Sequence, residues 1–298
     1  NAADTTLEAC KATQKHVRVN TPTGVHVYTV PSNYKQLLAS PQMAQWIAAD
    51  KKAHDSILSY GNDTCRQDEV PEGETVGPCV SQRKIKINPA TGGLEERNAF
   101  KSRHCFDGGR YAAFRKKLGL PPVERGASNL LDDFAFKMFI SSAARVNRRL
   151  YKVDIGDAYA QGARARPVGY MKMAPTVQEY DTDGTPMVYR LFSPMWGETP
   201  AGFEWDATLH KEMLHIGWNQ AAGVPAVYYF AGENGNTANC GKIVDDLLFM
   251  EDDHKMPIVK RTLELLTARF NNKVSSEIDP TAFAGYKIGY PPEGGITL

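Results

Sequence analysis

Residues Lys242–Met250 read KIVDDLLFM, and the fold depends on how this stretch accommodates its two carboxylates. Asp245 and Asp246 interrupt a run of β-branched and aromatic residues typical of a buried strand, where an unpaired charge is costly. In one straight strand the two side chains would point to opposite faces, and one would be buried. In a tight turn between two short strands both would reach the hairpin end, and Asp is tolerated in turns. We therefore predict a hairpin with a carboxylate pair at its end.

A third carboxylate, Asp154, ends another short apolar stretch, LYKV at 150–153. If that strand lies beside the hairpin, the three carboxylates form an oxygen-rich site of the kind that selects Mg²⁺ or Mn²⁺. Two such ions about 3.5–4 Å apart can hold the attacking and leaving oxygens of a phosphoryl displacement. Most Asp-Asp pairs, however, are solvated turns, so the neighbouring segments must decide between these two interpretations.

The composition is that of an ordinary globular protein, with 298 residues, 42% hydrophobic, 23% charged and a net charge of +1. No apolar run approaches the roughly eighteen residues of a membrane span, and the first residues lack a signal-peptide pattern. We therefore expect an intracellular protein without a membrane span. The cysteines form no CxxC pair, so neither a disulfide framework nor a zinc knuckle is indicated. Residues 83–117 hold ten Lys or Arg against three Asp or Glu, which suits polyanions but also occurs on solvated faces.

Apolar spacing and capping residues predict helices in four places. They are a helix starting with Ser40 as cap and Pro41 at the first helical position, one from the SNLLDDF segment at 128–134, one over 202–216 ending at Gly217, and one over 257–270.

The predicted strands are short and separated by turn residues. They are a basic hairpin over 81–106, strands at 150–154 and 224–230, the two arms of the Asp245 hairpin, and a final hairpin pairing 283–290 with 295–298. Residues 61–81 are predicted to be loop, and residues 1–38 to be either an ordered arm or a loose leader.

Taken in order, these segments resemble the reverse transcriptase of copia-type retrotransposons, and the catalytic segments also resemble retroviral reverse transcriptases. VDIGDAYAQG at 153–162 resembles motif A of the family, and IVDD at 243–246 resembles motif C. Between them, MWGETPAGFEW at 195–205 fits the family segment LYGLKQAPRQW without a gap. Residues 83–103 are similar to the fingers hairpin, and FAGYKIGY at 283–290 to the primer-grip hairpin.

The resemblance implies an α+β fold with a reverse-transcriptase-like palm, in which an antiparallel sheet is backed by helices, and a fingers subdomain. Residues 1–39 would be an N-terminal arm or leader outside the resemblance. Residues 40–150 would form the fingers-like region with its first helix, and 151–298 the palm-like region ending at the primer-grip hairpin. No match to a thumb or ribonuclease H domain is found in these residues.

The resemblance also implies roles for individual residues. Asp154, Asp245 and Asp246 would be catalytic and would bind two metal ions, with the Ile155 carbonyl oxygen as a further ligand. The implied nucleotide-binding residues are Lys101 and Arg103 for the triphosphate, Tyr159 against the sugar, and Trp196 and Gly197 in the pocket wall. Gly285 and Tyr286 would hold the primer end. From the residues alone, Tyr159 fits core packing equally well.

The leading hypothesis is RNA- or DNA-templated DNA synthesis by an RNA-directed DNA polymerase, using Mg²⁺ or Mn²⁺, deoxynucleoside triphosphates and a template-primer. Motif C has Ile243 where the family usually has an aromatic residue, which is a mild change. Three other features favour an alternative: the segment after Gly197, where Glu198 is present and the family's Lys, Gln and Pro are missing, the lack of a match to a thumb or ribonuclease H domain, and the near-neutral net charge. In this alternative, the chain is a domesticated palm and fingers module, catalytically weak or inactive, that serves as a structural or nucleic-acid-binding subunit of a larger assembly. A metal-dependent phosphodiesterase with the same carboxylates is a third hypothesis.

Overall fold

The computed structural model describes residues 15–298 except 89, 124, 125, 127, 147, 233, 234, 254 and 293. These residues form a mixed α+β protein, which confirms the α+β part of the predicted fold class. The chain divides into two compact units. Unit 1 takes the described residues up to Pro122 and Arg166–Glu198, and unit 2 takes Val123–Ala165 and Thr199–Leu298.

The elements are numbered in chain order. The first part of the chain contains β1 (Lys15–Thr21), β2 (Gly24–Val30), α1 (Tyr34–Leu38), α2 (Met43–Leu58), β3 (Asp63–Arg66), a 3₁₀ turn (Gln67–Glu69), β4 (Val76–Gly77), β5 (Cys79–Ile85), β6 (Phe100–Phe106), α3 (Gly108–Lys117), α4 (Asp133–Arg145), β7 (Arg149–Ile155) and α5 (Ala158–Gln161). The second part contains β8 (Gly169–Lys172), β9 (Met187–Leu191), α6 (Ala201–Ile216), β10 (Asn219–Gln220), β11 (Val227–Ala231), β12 (Thr237–Ile243), β13 (Asp246–Glu251), α7 (Pro257–Arg269), β14 (Val274–Ile278), β15 (Ala282–Phe283) and β16 (Tyr286–Lys287).

Unit 1 contains the predicted basic hairpin, since β5 and β6 pair antiparallel from Cys79↔Phe106 to Ile85↔Phe100. The hairpin β1–β2 belongs to this unit, because Val19 and Val30 are buried in one cluster with Trp46 and Ile85. The described part of the predicted arm, from residue 15 onward, is therefore ordered. The boundary predicted between residues 150 and 151 falls inside β7, which lies in unit 2.

Three sequence-based expectations differ from the structure. Residues 61–81 are not a loop, because they contain β3, the 3₁₀ turn, β4 and the start of β5. Helix α2 begins at Met43 rather than Pro41, and the Ser40 hydroxyl accepts a hydrogen bond from the Gln42 N–H in a turn ahead of the helix. The final hairpin is closed by β15 and β16 alone, while the 295–298 segment contributes an isolated bridge, Gly289↔Thr297.

Unit 2 is built on an antiparallel sheet with the strand order β10-β11-β12-β13-β7-β14. Alternating residues of these strands face opposite sides, so each side has its own core. Helices α6 and α7 bury Trp205 and Phe270 on one side, and α4 buries Phe136 and Phe139 on the other. The predicted helices over 202–216 and 257–270 are confirmed, and the first ends at Gly217 with a φ of 107°. In the described part of the chain, every helix is too short or too polar to span a bilayer.

Candidate active site

Strand pairing in unit 2 brings the three predicted carboxylates to one end of the sheet. Asp246 begins β13 and lies directly opposite Asp154 on β7. Directly opposite residues share a face and have Cβ atoms about 4.5–5.5 Å apart. Asp245 occupies the turn before β13, and its carbonyl oxygen accepts a hydrogen bond from the Ile155 N–H at 3.0 Å. The prediction that Asp245 and Asp246 lie at a hairpin end next to Asp154 is thus confirmed.

The turn between β12 and β13 is short and conformationally unusual. Ile243 pairs with Asp246, which leaves Val244 and Asp245 as its two central residues. Val244 has a φ of 57°, and a β-branched residue rarely adopts this left-handed region. Such a residue costs about 1–3 kcal/mol and persists only where neighbouring contacts impose it. One such contact is the indole N–H of Trp205, which donates to the Val244 carbonyl oxygen at 2.8 Å.

Asp246 is incompletely neutralised. Within the described part of the chain its Oδ1 atom is buried and accepts no hydrogen bond, and the nearest cation, Lys152 Nζ, is 3.6 Å away. Burial raises the pKa of the Asp246 carboxyl, Lys152 opposes this effect, and the charge of Asp154 adds to it. A buried carboxylate oxygen that accepts no hydrogen bond is costly, and the ion pair with Lys152 offsets that cost only in part.

The carboxylates fit a hard divalent cation in their chemistry. Carboxylate oxygens are the ligands that Mg²⁺ prefers in proteins, and Asp246 offers an oxygen without a hydrogen-bond partner among the described residues. In the conformation seen, no three His, Cys, Asp or Glu side chains among the described residues form a ready metal-binding group. Of the three predicted ligands, the strand pairing places Asp154 and Asp246 directly opposite each other.

Tyr159 lies on the short helix α5, within electrostatic influence of Asp245. Burial raises the pKa of its hydroxyl, and the charge of Asp245 raises it further. Its ring also packs against the hydrophobic cluster that contains α6 residues. Core packing and electrostatic contact with Asp245 are therefore compatible at this position. Ile155 is fully buried, and the metal-binding role of its carbonyl oxygen stays a prediction.

The predicted triphosphate ligands, Lys101 and Arg103, lie in unit 1 on the exposed face of the β5–β6 hairpin. There they pair with Lys84 and Gln82 respectively. A pocket of about 320 Å³ on this hairpin, termed here the basic pocket, is lined by Lys15, Gln82, Arg83, Lys84, Lys86, Lys101 and Arg103. Clustered cations of this kind attract phosphate groups.

Trp196 and Gly197 also belong to unit 1 and are held against the end of β6. The Phe106 N–H donates to the Trp196 carbonyl oxygen at 2.7 Å. At Gly197, whose φ is 88°, a Cβ atom would lie 2.0 Å from the Phe106 carbonyl oxygen, so only glycine fits. The Arg103 guanidinium lies 5.7 Å from the centre of the Trp196 ring. Three of the four predicted residues in unit 1 are thus brought together, namely Arg103, Trp196 and Gly197.

Glu198, the residue that departs most from the family segment, has a structural role in unit 1. It is buried, its Oε2 accepts a hydrogen bond from the Met195 N–H at 2.8 Å, and it pairs with Arg166 at 3.3 Å. Its charge is therefore largely balanced by groups of this chain.

Gly285 and Tyr286, the predicted primer-binding residues, form the tight β15–β16 hairpin. Gly285 has a φ of 84° and lies in the turn. Tyr286 packs against α4, where its ring lies 5.1 Å from that of Phe136 and its hydroxyl donates to Asp133. These contacts fix the hairpin, and contact with a primer stays a prediction.

Sequence reasoning missed several residues at the carboxylate end of the unit 2 sheet and in the basic pocket of unit 1. Lys152 beside Asp246, and Ser275 opposite Asp154 on β14, were not identified. Strand β14 reads VSSEI and is almost entirely exposed, so it lacks the apolar alternation that marks a strand. Lys84 and Lys86 carried a usable signal, the alternation of Lys with Ile, whereas Lys15 carried none.

No protein-family model matches this sequence, and no curated protein matches it significantly. The resemblance to reverse transcriptases therefore rests on the motifs and on their spacing.

Proposed function

We propose that this protein catalyses template-directed nucleotidyl transfer, the RNA- or DNA-templated synthesis of DNA, with Mg²⁺ or Mn²⁺ held by Asp154, Asp245 and Asp246. In this proposal unit 2 corresponds to a reverse-transcriptase-like palm and the basic hairpin of unit 1 to its fingers. The substrates are deoxynucleoside triphosphates and a template-primer.

The observation that carries the proposal is the pairing of Asp154 with Asp246 on adjacent central strands, next to a turn that holds Asp245. Like charges placed directly opposite each other destabilise a sheet, and the buried Oδ1 atom of Asp246 accepts no hydrogen bond from the described residues. Its ion pair with Lys152, at 3.6 Å, offsets this charge only in part. Divalent cations would offset the repulsion and supply charge stabilisation for a phosphoryl group.

Unit 1 supports the same substrate class. The basic pocket places Lys84, Lys101 and Arg103 on one face of a rigid hairpin. Arg guanidinium groups bind phosphate oxygens through two parallel hydrogen bonds. The Arg103 guanidinium lies over the half-buried Trp196 ring, which fixes its position beside the pocket.

Residues of this chain have separate tasks in such a reaction. Asp154 and Asp246 hold cations at the sheet end, and Lys152 limits the negative charge there when no cation is bound. Tyr159 keeps its proton, because burial and the charge of Asp245 raise its pKa, and its ring packs against the hydrophobic cluster that contains Ile155. Catalysis of this type depends on positioning and electrostatic stabilisation more than on covalent chemistry.

A primer-extension assay tests the proposal. We expect the wild-type chain to extend a labelled primer with Mg²⁺, and Asp245→Asn to reduce the rate by more than about 100-fold, the scale of losing one group that stabilises transition-state charge. Asp253→Asn is the matched control in the same unit, since Asn keeps the oxygen that accepts the Lys255 N–H. Extension equal in the wild type and Asp245→Asn would contradict the proposal, as would its absence from the wild type with either Mg²⁺ or Mn²⁺.

A second candidate is a non-catalytic palm and fingers module that binds nucleic acid within a larger assembly. It is favoured by the finding that no described group of three potential ligands is arranged for a metal ion, while the basic pocket is formed. Nucleic-acid binding without extension, and without a thermal shift on adding Mg²⁺ or Mn²⁺, would support this candidate. A parallel incubation of labelled nucleic acid without nucleotides would reveal phosphodiesterase activity.

A further inference from the structure

Trp205 contacts the carboxylate-bearing turn from the opposite side of the sheet. Its side chain is 1% exposed, and its ring lies 5.3 Å from that of Phe270. The indole N–H donates at 2.8 Å to the carbonyl oxygen of Val244. The indole N–H of a core tryptophan on α6 thus donates its hydrogen bond to the backbone of the turn that contains Asp245.

Both carbonyl groups of the two-residue turn are held from outside the hairpin. The Asp245 carbonyl accepts from the Ile155 N–H of β7 at 3.0 Å, and the Val244 carbonyl accepts from Trp205. The left-handed φ of Val244 is unfavourable for a β-branched residue. Because the turn conformation is not favoured locally, it depends on these two contacts.

Trp218 shows what a tryptophan with a packing role looks like in the same unit. It is also 1% exposed, and its indole N–H donates at 2.9 Å to the Thr262 hydroxyl of α7. Its ring packs edge-on against Phe230 and Phe249. The two tryptophans match in burial and hydrogen bonding and differ in what the bond holds.

We propose that Trp205 is a positioning residue, which fixes the Val244–Asp245 turn and thereby the placement of Asp245 and Asp246 beside Asp154. Its relevance to catalysis rests on the proposed function of these carboxylates. The placement of the turn itself can be measured without any reaction.

Hydrogen exchange at the Ile155 amide reports the turn directly, because this amide donates to the Asp245 carbonyl. We expect Trp205→Phe, which keeps an aromatic ring and removes the donor, to accelerate this exchange about tenfold, the scale of one lost hydrogen bond. Trp218→Phe is the matched control and should leave exchange at Ile155 unchanged once both variants are compared under conditions of equal global stability.

Val244→Gly provides the rescue, because glycine adopts a positive φ without steric cost. If Trp205 acts by holding the Val244 conformation, Trp205→Phe should accelerate exchange much less in the Val244→Gly background than in the wild type. The wild type, the two single variants at Trp205 and Val244, and the double variant form a double-mutant cycle, which isolates the coupling between the two residues. A merely structural role for Trp205 would give the same acceleration in both backgrounds.

Equal acceleration at Ile155 by Trp205→Phe and Trp218→Phe, or zero coupling in the cycle, would overturn the inference. Mn²⁺ affinity, measured by the paramagnetic broadening of resonances near the turn, should fall in Trp205→Phe and recover in the double variant. Coupling in the exchange data with no Mn²⁺ binding or extension by the wild type would refute the proposed function while leaving the positioning role intact. Extension without coupling would do the reverse.

Discussion

Each unit of this protein contains a carboxylate close to a β-hairpin, and the two differ in how well neighbouring groups balance their charge. Asp50 of unit 1 is fully buried beneath the basic hairpin and is bonded to Arg83 at 2.6 Å and to Thr176 at 2.6 Å. Asp246 of unit 2 is partly exposed and faces the like charge of Asp154. Its buried Oδ1 atom accepts no hydrogen bond from the described residues and has a single ion pair among them, with Lys152 at 3.6 Å.

The pKa directions express the same difference. Burial acts to raise the pKa of the Asp50 carboxyl, but its neighbours outweigh burial and lower it well below the ordinary value; they are His104, Arg83, Ser102 and Thr176. For Asp246, burial raises the pKa and Lys152 offsets this only in part. The fold therefore stabilises the charge of Asp50, whereas it only partly offsets the cost of burying the charge of Asp246, the carboxylate that we propose binds a cation.

The largest expected effect is on stability in unit 1. Asp50→Asn removes one partner of a buried ion pair and leaves the Arg83 charge uncompensated, which costs about 3–5 kcal/mol. We expect the free energy of unfolding in urea, followed by circular dichroism, to fall by this amount. Asp55→Asn, on the exposed side of the same helix, should change it by less than about 0.5 kcal/mol. Equal effects of the two variants would show that Asp50 does not stabilise the fold more than an exposed carboxylate does.

In unit 2 the corresponding change should affect activity rather than stability. Asp154→Asn removes a proposed metal ligand, and we expect primer extension to slow by about 10²–10³-fold, or roughly 2.7–4 kcal/mol of transition-state stabilisation. The free energy of unfolding should not fall, because the variant also relieves the repulsion across to Asp246. A variant that unfolds readily would instead show that Asp154 is a structural residue like Asp50.

A smaller effect is expected from the basic pocket, where charge is spread over several side chains. Lys84 is exposed and is one of the seven residues that line the pocket. Because the other cations of the pocket remain in Lys84→Ala, the affinity for a single-stranded oligonucleotide should fall only modestly. The slope of log affinity against log salt should decrease in magnitude by about 0.7, the value for one phosphate contact to a single strand. Lys51→Ala, an exposed lysine of α2 outside the pocket, is the control for fluorescence anisotropy titrations. An unchanged slope would show that Lys84 contacts no phosphate.

The sequence predicted the carboxylate end of the sheet well, because a turn between two apolar arms is a local feature. Asp245, Asp246 and the Gly217 helix end were identifiable from residues within a few positions of them. Lys152 and Ser275 were not, since their proximity to Asp246 and Asp154 follows from strand pairing across about 95 to 120 positions of the chain. Trp205 could be placed on a helix, but its contact with Val244 depends on how that helix packs.

In unit 1 the basic hairpin was predicted from its Lys and Ile alternation, whereas β3, β4, β8 and β9 were missed. These strands are short and belong to a sheet whose pairs join distant segments, such as Cys65 with Val188 and Val76 with Tyr170. Proline and glycine around residues 71–78 give a loop-like composition, and tertiary pairing overrides that local preference.

The smallest expected effect is also the one that separates the two carboxylates most directly. Asp246→Asn removes a like charge directly opposite Asp154, which should raise the free energy of unfolding at pH 7 in metal-free buffer by about 0.2–1 kcal/mol. The direction of the pH dependence follows from the shift in the pKa of Asp246. Because the folded-state pKa of Asp246 is raised, its stabilising contribution is present below the unfolded pKa and is lost as pH rises through the folded value.

The stability advantage of Asp246→Asn over the wild type should therefore be absent near pH 3 and should grow towards pH 7. For Asp50 the folded-state pKa is lowered, so its contribution is present above the unfolded pKa and is lost as pH falls through the folded value. The two pH profiles, obtained from urea denaturation of each variant against the wild type, should run in opposite directions. Adding Mg²⁺ should then cancel the advantage of Asp246→Asn at pH 7, since a cation that binds only the wild-type carboxylates stabilises that folded form alone. A pH-independent advantage that Mg²⁺ leaves unchanged would show that Asp246 carries no cation and no unbalanced charge.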